Sequence, residues 1–139
     1  MEYFQGRLID HIGFRVRDFP AARRFYLAIL EALGRDQDIQ DDPDMLNVDE
    51  LYIAPGREDT STASSLHLCF QARDREMVAR FHAAGLAAGG RDNGAPGLRE
   101  YHRGYYAAFL LDPDGNNVEA VVDERVTARS ADAVKVETC

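Results

Sequence analysis

The sequence predicts an α+β domain made of two successive β-α-β-β-β units. Three observations predict this class: an internal repeat, an alternating strand followed by an amphipathic helix in each copy, and short strand patterns separated by turn signals. With 139 residues, the chain has the length of one ordinary domain that buries a core without disulfides. We therefore expect two similar halves that bury their apolar faces against each other.

The repeat is visible in two eight-residue phrases, HIGFRVRD at residues 11–18 and HLCFQARD at residues 67–74. The same offset aligns further pairs behind them: Arg24 with Arg80, Phe25 with Phe81, Leu30 with Leu86, and Gly34 with Gly90. Matches that cover both an alternating segment and the helical segment behind it indicate a duplicated supersecondary unit rather than coincidence.

The first copy has the pattern of a strand, a cap and a helix. Apolar and polar residues alternate along residues 11–16, which is the period of a half-buried strand. Asp18 is typical of an N-cap and Pro20 of a first helical turn. The helix then carries one apolar stripe until Gly34 ends it: Ala22, Phe25, Tyr26, Ile29, Leu30 and Leu33. If that stripe covers the apolar side of the strand, His11 lies on the opposite face of the sheet.

The second copy repeats this order. Residues 66–71 alternate, Asp74 is placed to cap the next helix, and Gly89 and Gly90 are placed to end it. The residues expected to point inward are Leu66, Leu68, Phe70, Val78, Phe81 and Leu86. His67 then shares with Cys69 the sheet face that points away from the helix.

Short strands are predicted after each helix. In the first half, the turn signal Asp-Asp-Pro-Asp at 41–44 precedes VDELYIA at 48–54, where alternation puts Glu50 on the histidine face. The acidic stretch at 36–44 is expected to be a solvated edge.

In the second half, RDNGAPGLREYHRG at 91–104 is predicted to be a loop because it is rich in glycine and contains a proline. The strand YYAAFLL follows at 105–111, and the turn Asp-Pro-Asp-Gly at 112–115 leads into NNVEAVV at 116–122. Alternation along this last strand puts Glu119 on the histidine face.

Composition excludes several classes of function. Sixteen Lys and Arg against twenty-four Asp and Glu give a formal charge of −8, which repels nucleic acid and anionic lipid. The chain has neither an apolar run that would span a bilayer nor a signal-peptide pattern, so a cytoplasmic protein is expected. Cys69 and Cys139 match no disulfide or zinc pattern and are expected to be free thiols. Residues 3–6, Tyr-Phe-Gln-Gly, are typical of a cleavable-tag remnant, so positions 1–6 are set aside.

The order of elements, the two histidine strands and the closing LDPDGNNVEAV resemble the vicinal oxygen chelate superfamily. That superfamily includes glyoxalase I, extradiol dioxygenases, fosfomycin-modifying thiol transferases and bleomycin-resistance proteins. The resemblance covers about residues 8–123 and is most specific from Phe109 to Val121. It implies paired modules that form a half-open curved sheet around a cavity. The expected divisions are one domain at 7–123, modules at about 8–56 and 64–123, and a polar tail at 124–139.

In that family, metal ligands come from the first strand of each module and the last strand of one or both. Carried over by position, the resemblance implies His11, His67 and Glu119. Glu50 is a further candidate, since a one-residue shift of its strand would turn Asp49 inward instead. Two imidazoles with one or two carboxylates suit a divalent ion such as Zn, Ni, Mn or Fe, with positions left for a bidentate oxygen substrate. The cavity wall is expected to include Arg15, Tyr52, Cys69 and His102.

The resemblance implies a homodimeric, glyoxalase-like lyase or isomerase for a small substrate, whose metal ion stabilises an enolate-like intermediate while Glu119 or Glu50 moves a proton. The alternative is a protein without turnover that binds or sequesters a small molecule such as a drug. An extradiol dioxygenase is disfavoured, because those enzymes usually have a tyrosine ten residues before the glutamate, where Phe109 stands here. The modules can pair within one chain or across a dimer.

Overall fold

The computed structural model describes residues 9–56 and 66–129 together with Glu137. The tag-like residues 1–6, Cys139 and most of the tail after residue 129 lie outside these residues. Within the described ranges, no helix is long and apolar enough to cross a membrane.

Each half of the chain forms a four-stranded sheet with one helix. The first half contains β1 (Ile12–Val16), α1 (Phe19–Ala32), β2 (Ile39–Asp42), β3 (Met45–Val48) and β4 (Leu51–Pro55). The second half contains β5 (His67–Gln71), α2 (Arg75–Ala87), β6 (Arg91–Arg99), β7 (Tyr105–Leu111) and β8 (Asn117–Asp123). A short 3₁₀ turn, Asp36–Asp38, lies between α1 and β2.

The strand order is β1-β4-β3-β2 in the first sheet and β5-β8-β7-β6 in the second. In both sheets the first strand pairs in parallel with the last strand, and the remaining pairs are antiparallel. This identical order confirms the predicted duplication and the α+β class. The two sheets are not closed on each other.

Both helices begin where the sequence predicts. The Asp18 carboxylate accepts the backbone N–H of Ala21 at 3.0 Å, and Asp74 accepts that of Met77 at 2.7 Å. Each cap satisfies a backbone donor that the first helical turn leaves without a partner. Gly34, with φ 71°, follows α1 in the left-handed conformation that glycine adopts without strain.

One apolar core joins the two modules. The entire predicted stripe of α1 is buried in it, together with the inward residues of both sheets. The two helices meet at Gly85, where an added Cβ would clash with Leu110 and lie 3.1 Å from Ile29 Cγ2. Leu86, expected to point inward, is 41% exposed, so that prediction is wrong. Because glycine forms the contact, the next position along the helix turns towards solvent.

The predicted loop at 91–104 is also partly wrong, because residues 91–99 form β6 and pair with β7. The strand accommodates its glycines and proline through register shifts between Asp92 and Gly94 and between Gly94 and Gly97. Pro96 lies in the second irregularity, where the missing N–H costs no ladder hydrogen bond. Since β6 is an edge strand, these irregularities interrupt no neighbour on its other side.

The turn between β7 and β8 connects the modules through Asp112, which is 1% exposed. Its carboxylate accepts the Tyr26 hydroxyl at 2.6 Å, the Asn116 side-chain amide at 2.9 Å and the Asn116 backbone N–H at 2.8 Å. Burial and the charge of Asp112 hold the pKa of Tyr26 well above its usual range, so the hydroxyl remains a donor. Asp114 in the same turn accepts the backbone N–H of Arg17 at 3.1 Å.

Replacing Tyr26 with phenylalanine should lower the free energy of unfolding by about 1–3 kcal/mol, because a buried carboxylate loses a hydrogen-bond donor. Urea denaturation followed by circular dichroism measures this change. The matched control is Tyr101→Phe, at a residue that is 71% exposed, which should change stability by less than about 0.5 kcal/mol. Equal stabilities for the two variants would contradict the proposed importance of the Tyr26–Asp112 bond.

Candidate functional site

The face of the second sheet that points away from the helices carries His67, Cys69 and Glu119. On the other face of the same strands, Leu68 and Phe70 pack against the core, and Val118 and Ala120 are buried in it. Parallel pairing of β5 with β8 sets Cys69 opposite Glu119. Strand alternation therefore brings these side chains to one surface, as the sequence predicts.

His67 and Glu119 are in direct contact. His67 Nε2 lies 3.0 Å from Glu119 Oε1, and the hydroxyl of Tyr105 donates to Glu119 Oε2. The glutamate is only 3% exposed, whereas about half of the His67 side chain is open to solvent. Two donors from the flanking strands thus allow a carboxylate to be buried in a sheet whose other residues are mostly apolar.

The Cys69 thiol and the Tyr105 hydroxyl, which lie next to Glu119, stay protonated. Burial, followed by the nearby Glu119 carboxylate, raises the pKa of the Cys69 thiol to about 12. Cys69 keeps exposed surface as a residue, but its sulfur lies against Glu119 and Tyr105. Burial and the hydrogen bond to Glu119 also raise the pKa of Tyr105 above its usual range. At neutral pH both groups are therefore hydrogen-bond donors rather than anions.

The other nitrogen of the His67 ring is held by Asn117. The Asn117 side-chain nitrogen lies 2.7 Å from His67 Nδ1. The Asn117 side-chain oxygen, Oδ1, accepts a hydrogen bond from the Asn93 side-chain nitrogen at 3.1 Å. Because Asn117 donates to Nδ1, the ring proton lies on Nε2 and is donated to Glu119. The His67 ring also packs against the Phe109 ring in an edge-to-face arrangement, with centroids 6.4 Å apart.

Sequence reasoning missed Tyr105 and Asn117. Both could have been found by strand alternation, since Asn117 precedes Glu119 by two positions on one strand. Tyr105 and Phe109 likewise lie on one face of β7, separated by Ala107. The family resemblance points to residue 109 alone for an active-site tyrosine, and that residue is Phe109. The small side chain of Ala107 leaves room for Tyr105 to reach Glu119.

The first sheet carries the other predicted residues. His11 lies directly before β1; its ring stacks on Tyr52 with centroids 5.3 Å apart, and its Nδ1 lies 2.7 Å from an oxygen of Asp10. Glu50 lies in the two-residue turn before β4 rather than inside a strand, and its carbonyl accepts the N–H of Ile12 at 2.6 Å. The prediction of one continuous strand over residues 48–54 is therefore wrong, because residues 49 and 50 form a turn.

Arg15 and His102 were also predicted to line a cavity. Arg15 points from the open side of β1 and donates to the backbone oxygen of Pro55 at 2.9 Å. His102 follows β6, and its ring packs edge-on against Tyr105 at 5.0 Å between centroids. His102 therefore adjoins the Glu119 group through Tyr105, while Arg15 belongs to the other sheet.

The donor chemistry of His67 and Glu119 fits a divalent metal ion. His67 Nε2 and Glu119 Oε1 lie 3.0 Å apart, so both would be within reach of one small ion. An imidazole and a carboxylate also match the preference of first-row divalent ions. Across residues 9–56 and 66–129, however, no group of three or more His, Cys, Asp or Glu side chains could hold a metal. The four-ligand set that includes His11 and Glu50 stays a prediction.

A cavity of about 370 Å³ lies away from these residues, where α2 begins and β8 ends. Its charged lining residues are Arg73, Asp74, Arg75, Asp123, Glu124 and Arg129. The positive and negative charges balance, and Arg75 pairs with Glu124 at 2.6 Å. This cavity therefore offers neither the ligand chemistry nor the excess charge of a second candidate site.

Comparison with known proteins gives a consistent assignment. Among curated proteins, none matches the chain. The model of the glyoxalase/bleomycin resistance protein/dioxygenase superfamily matches residues 8–120.

Similar solved structures include a glyoxalase/bleomycin resistance protein from Albidiferax ferrireducens T118, with 27% identity and a TM-score of 0.64. That match covers 84% of this chain and 98% of the other. A glyoxalase-related enzyme from Fulvimarina pelagi shows 21% identity and a TM-score of 0.67 over 96% of this chain and 99% of its own. A lactoylglutathione lyase from Agrobacterium tumefaciens shows 16% identity and a TM-score of 0.59, covering 88% and 98%. The family match spans nearly the whole region in which the two modules fold, and the chain belongs to the glyoxalase/bleomycin resistance protein/dioxygenase superfamily.

Proposed function

We propose that this protein is a metal-dependent, glyoxalase-like lyase or isomerase that acts on a small substrate with two neighbouring oxygen atoms. The observation that carries the proposal is the contact between His67 Nε2 and Glu119 Oε1 on the open face of the second sheet. Burying a carboxylate costs free energy, and packing of the sheet does not require a carboxylate at this position. We therefore infer that the buried Glu119 carboxylate and the half-exposed His67 imidazole are part of a metal-binding surface.

His67 and Glu119 would supply one part of the metal site, and His11 with Glu50 would supply the other. The two pairs belong to different sheets, and the described chain does not gather three metal-binding side chains. We therefore propose a homodimer in which the first module of one copy faces the second module of its partner. Such an isologous arrangement forms two equal sites per dimer.

A divalent ion bound at this site would supply Lewis acidity to the two substrate oxygens. Glu119 is held at both carboxylate oxygens, by Tyr105 and His67, and so is suited to remain a fixed ligand. Since Glu119 is held in this way, the Glu50 carboxylate in the turn before β4 is our candidate for moving a proton between adjacent substrate carbons.

The similarity to the lactoylglutathione lyase supports the fold rather than this reaction, because only 16% of residues are identical. The choice of substrate depends on the walls around His67. Tyr105 and Cys69 present protonated hydroxyl and thiol groups there, and Phe109 presents an aromatic edge. These groups favour a small, partly apolar molecule that accepts hydrogen bonds.

Protein purified without chelator should contain, or rebind, close to one Zn, Ni, Mn or Fe ion per chain, measured by inductively coupled plasma mass spectrometry. His67→Ala should weaken metal binding by more than about 100-fold, since loss of a ligand exceeds the effect of losing an outer partner. His82→Ala is the matched control, because His82 instead contacts Asp92 at 2.9 Å. A metal-free wild type whose small-molecule binding survives His67→Ala would instead support a sequestration protein.

Mixing two inactive variants tests the shared site. His11→Ala and Glu119→Ala should each lose metal binding alone, but subunit exchange in an equal mixture should restore roughly a quarter of the wild-type sites. The restored fraction is measured by metal titration after exchange. No recovery, despite dimers seen by analytical ultracentrifugation, would show that each site is completed within one chain.

Turnover should appear with a panel of thiol hemithioacetals, including that of glutathione, after reconstitution with Ni, Zn, Mn or Fe. Glu119→Gln and Glu50→Gln should lower kcat/KM by roughly 100-fold or more, since each removes a ligand or proton carrier. Glu76→Gln is the control, because Glu76 pairs with Arg80 on the exposed side of α2. Absence of product with every metal, measured by ultraviolet absorbance and NMR, would reject this reaction.

A further inference from the structure

We propose that Asn117, supported by Asn93, is a positioning residue that lets His67 adopt either neutral tautomer while keeping the hydrogen bond at Nδ1. The metal-binding part of this inference rests on the proposed function, whereas the tautomer part concerns the metal-free protein.

The strand register places Asn117 beside His67. Their Cα atoms are opposite each other in the parallel pair β5–β8, and the Asn117 side-chain nitrogen reaches His67 Nδ1 at 2.7 Å. Asn93 lies at the first register shift of β6 and donates to the Asn117 oxygen at 3.1 Å. The result is a chain of two amides that ends on the imidazole.

In this arrangement Asn117 donates to His67 Nδ1, so the ring proton is on Nε2 and faces Glu119. A metal ion on Nε2 requires the opposite tautomer, with the proton on Nδ1 and an acceptor beside it. Turning the Asn117 amide over presents its oxygen to Nδ1. Turning Asn93 over as well then presents its own oxygen to the Asn117 nitrogen.

A side chain that carries both a donor and an acceptor supports both tautomers in this way. A backbone carbonyl at this place would support Nδ1–H alone, and an ammonium group would support Nε2–H alone. Asparagine is also depleted in strands, so packing of β8 does not favour it at residue 117. The Asn93–Asn117 pair can therefore hold the His67 ring both when Nε2 donates to Glu119 and when Nε2 binds a metal ion.

The test uses full-length protein labelled with ¹⁵N-histidine and stripped of metal. Long-range ¹H–¹⁵N NMR reports the tautomer of His67, whose signals are assigned by their loss in His67→Gln. The wild type should show Nε2–H. Asn117→Asp, which keeps the shape but only accepts hydrogen bonds, should place a proton on His67 Nδ1 while Nε2–H still faces Glu119. Asn117→Leu should keep the Nε2–H tautomer, because Glu119 still accepts from Nε2.

Zn²⁺ affinity, measured by competition with a chromophoric chelator, gives the second readout. Asn117→Leu should weaken Zn²⁺ binding about 10- to 100-fold, whereas Asn117→Asp should bind at least as tightly as the wild type. Asn93→Leu should act in the same direction as Asn117→Leu with a smaller change. Gln40→Leu, which removes an exposed amide from the edge strand β2, is the matched control and should change neither readout.

The inference is overturned if His67 Nδ1 stays without a proton in Asn117→Asp, with that variant folded by its NMR dispersion. Unchanged Zn²⁺ affinity in both Asn117 variants would overturn its metal-binding part. If the wild type binds no Zn²⁺, the proposed function fails, while the tautomers of the metal-free proteins still decide the role of Asn117.

Discussion

The buried carboxylate of Asp112 is the constraint on which the positions of the other parts depend. It accepts hydrogen bonds from Tyr26 in α1 and from Asn116, so one group ties the first module to the turn before β8. Asn116 in turn accepts the backbone N–H of Leu66 at 3.1 Å, directly before β5. A single charge, satisfied by several donors, thereby sets where β5 and β8 begin.

That constraint explains why the second module carries the organised side chains. With β5 and β8 aligned at their starts, residue 67 faces residue 117 and residue 69 faces residue 119. Glu119 then lies inside a strand with donors on both sides. In the first sheet Tyr52 stands at the equivalent position, because it pairs with Gly13 as Glu119 pairs with Cys69. The same strand order therefore places a glutamate inside the second sheet, whereas Glu50 of the first module lies in the turn between β3 and β4.

Local sequence patterns predicted some elements of the fold correctly and others wrongly. Local patterns were sufficient for α1, whose cap at Asp18 and buried stripe are as predicted, and for β7, whose bounds match the predicted strand. They failed at β6, because pairing with β7 and two register shifts overrode the turn signals of its glycines and proline. They also failed at Leu86, because the crossing of the helices at Gly85 is a property of two elements together.

The sequence by itself determined the duplicated architecture, the family and the sheet face of each histidine and of Glu119. These follow from residue spacing, which sets side-chain direction within a strand whatever its neighbours. Only the tertiary structure decided which of these residues meet. Register between separate strands decides three hydrogen bonds: His67 to Glu119, Tyr105 to Glu119, and Asn117 to the His67 ring. Register is set by turns and core packing, which no single strand pattern contains.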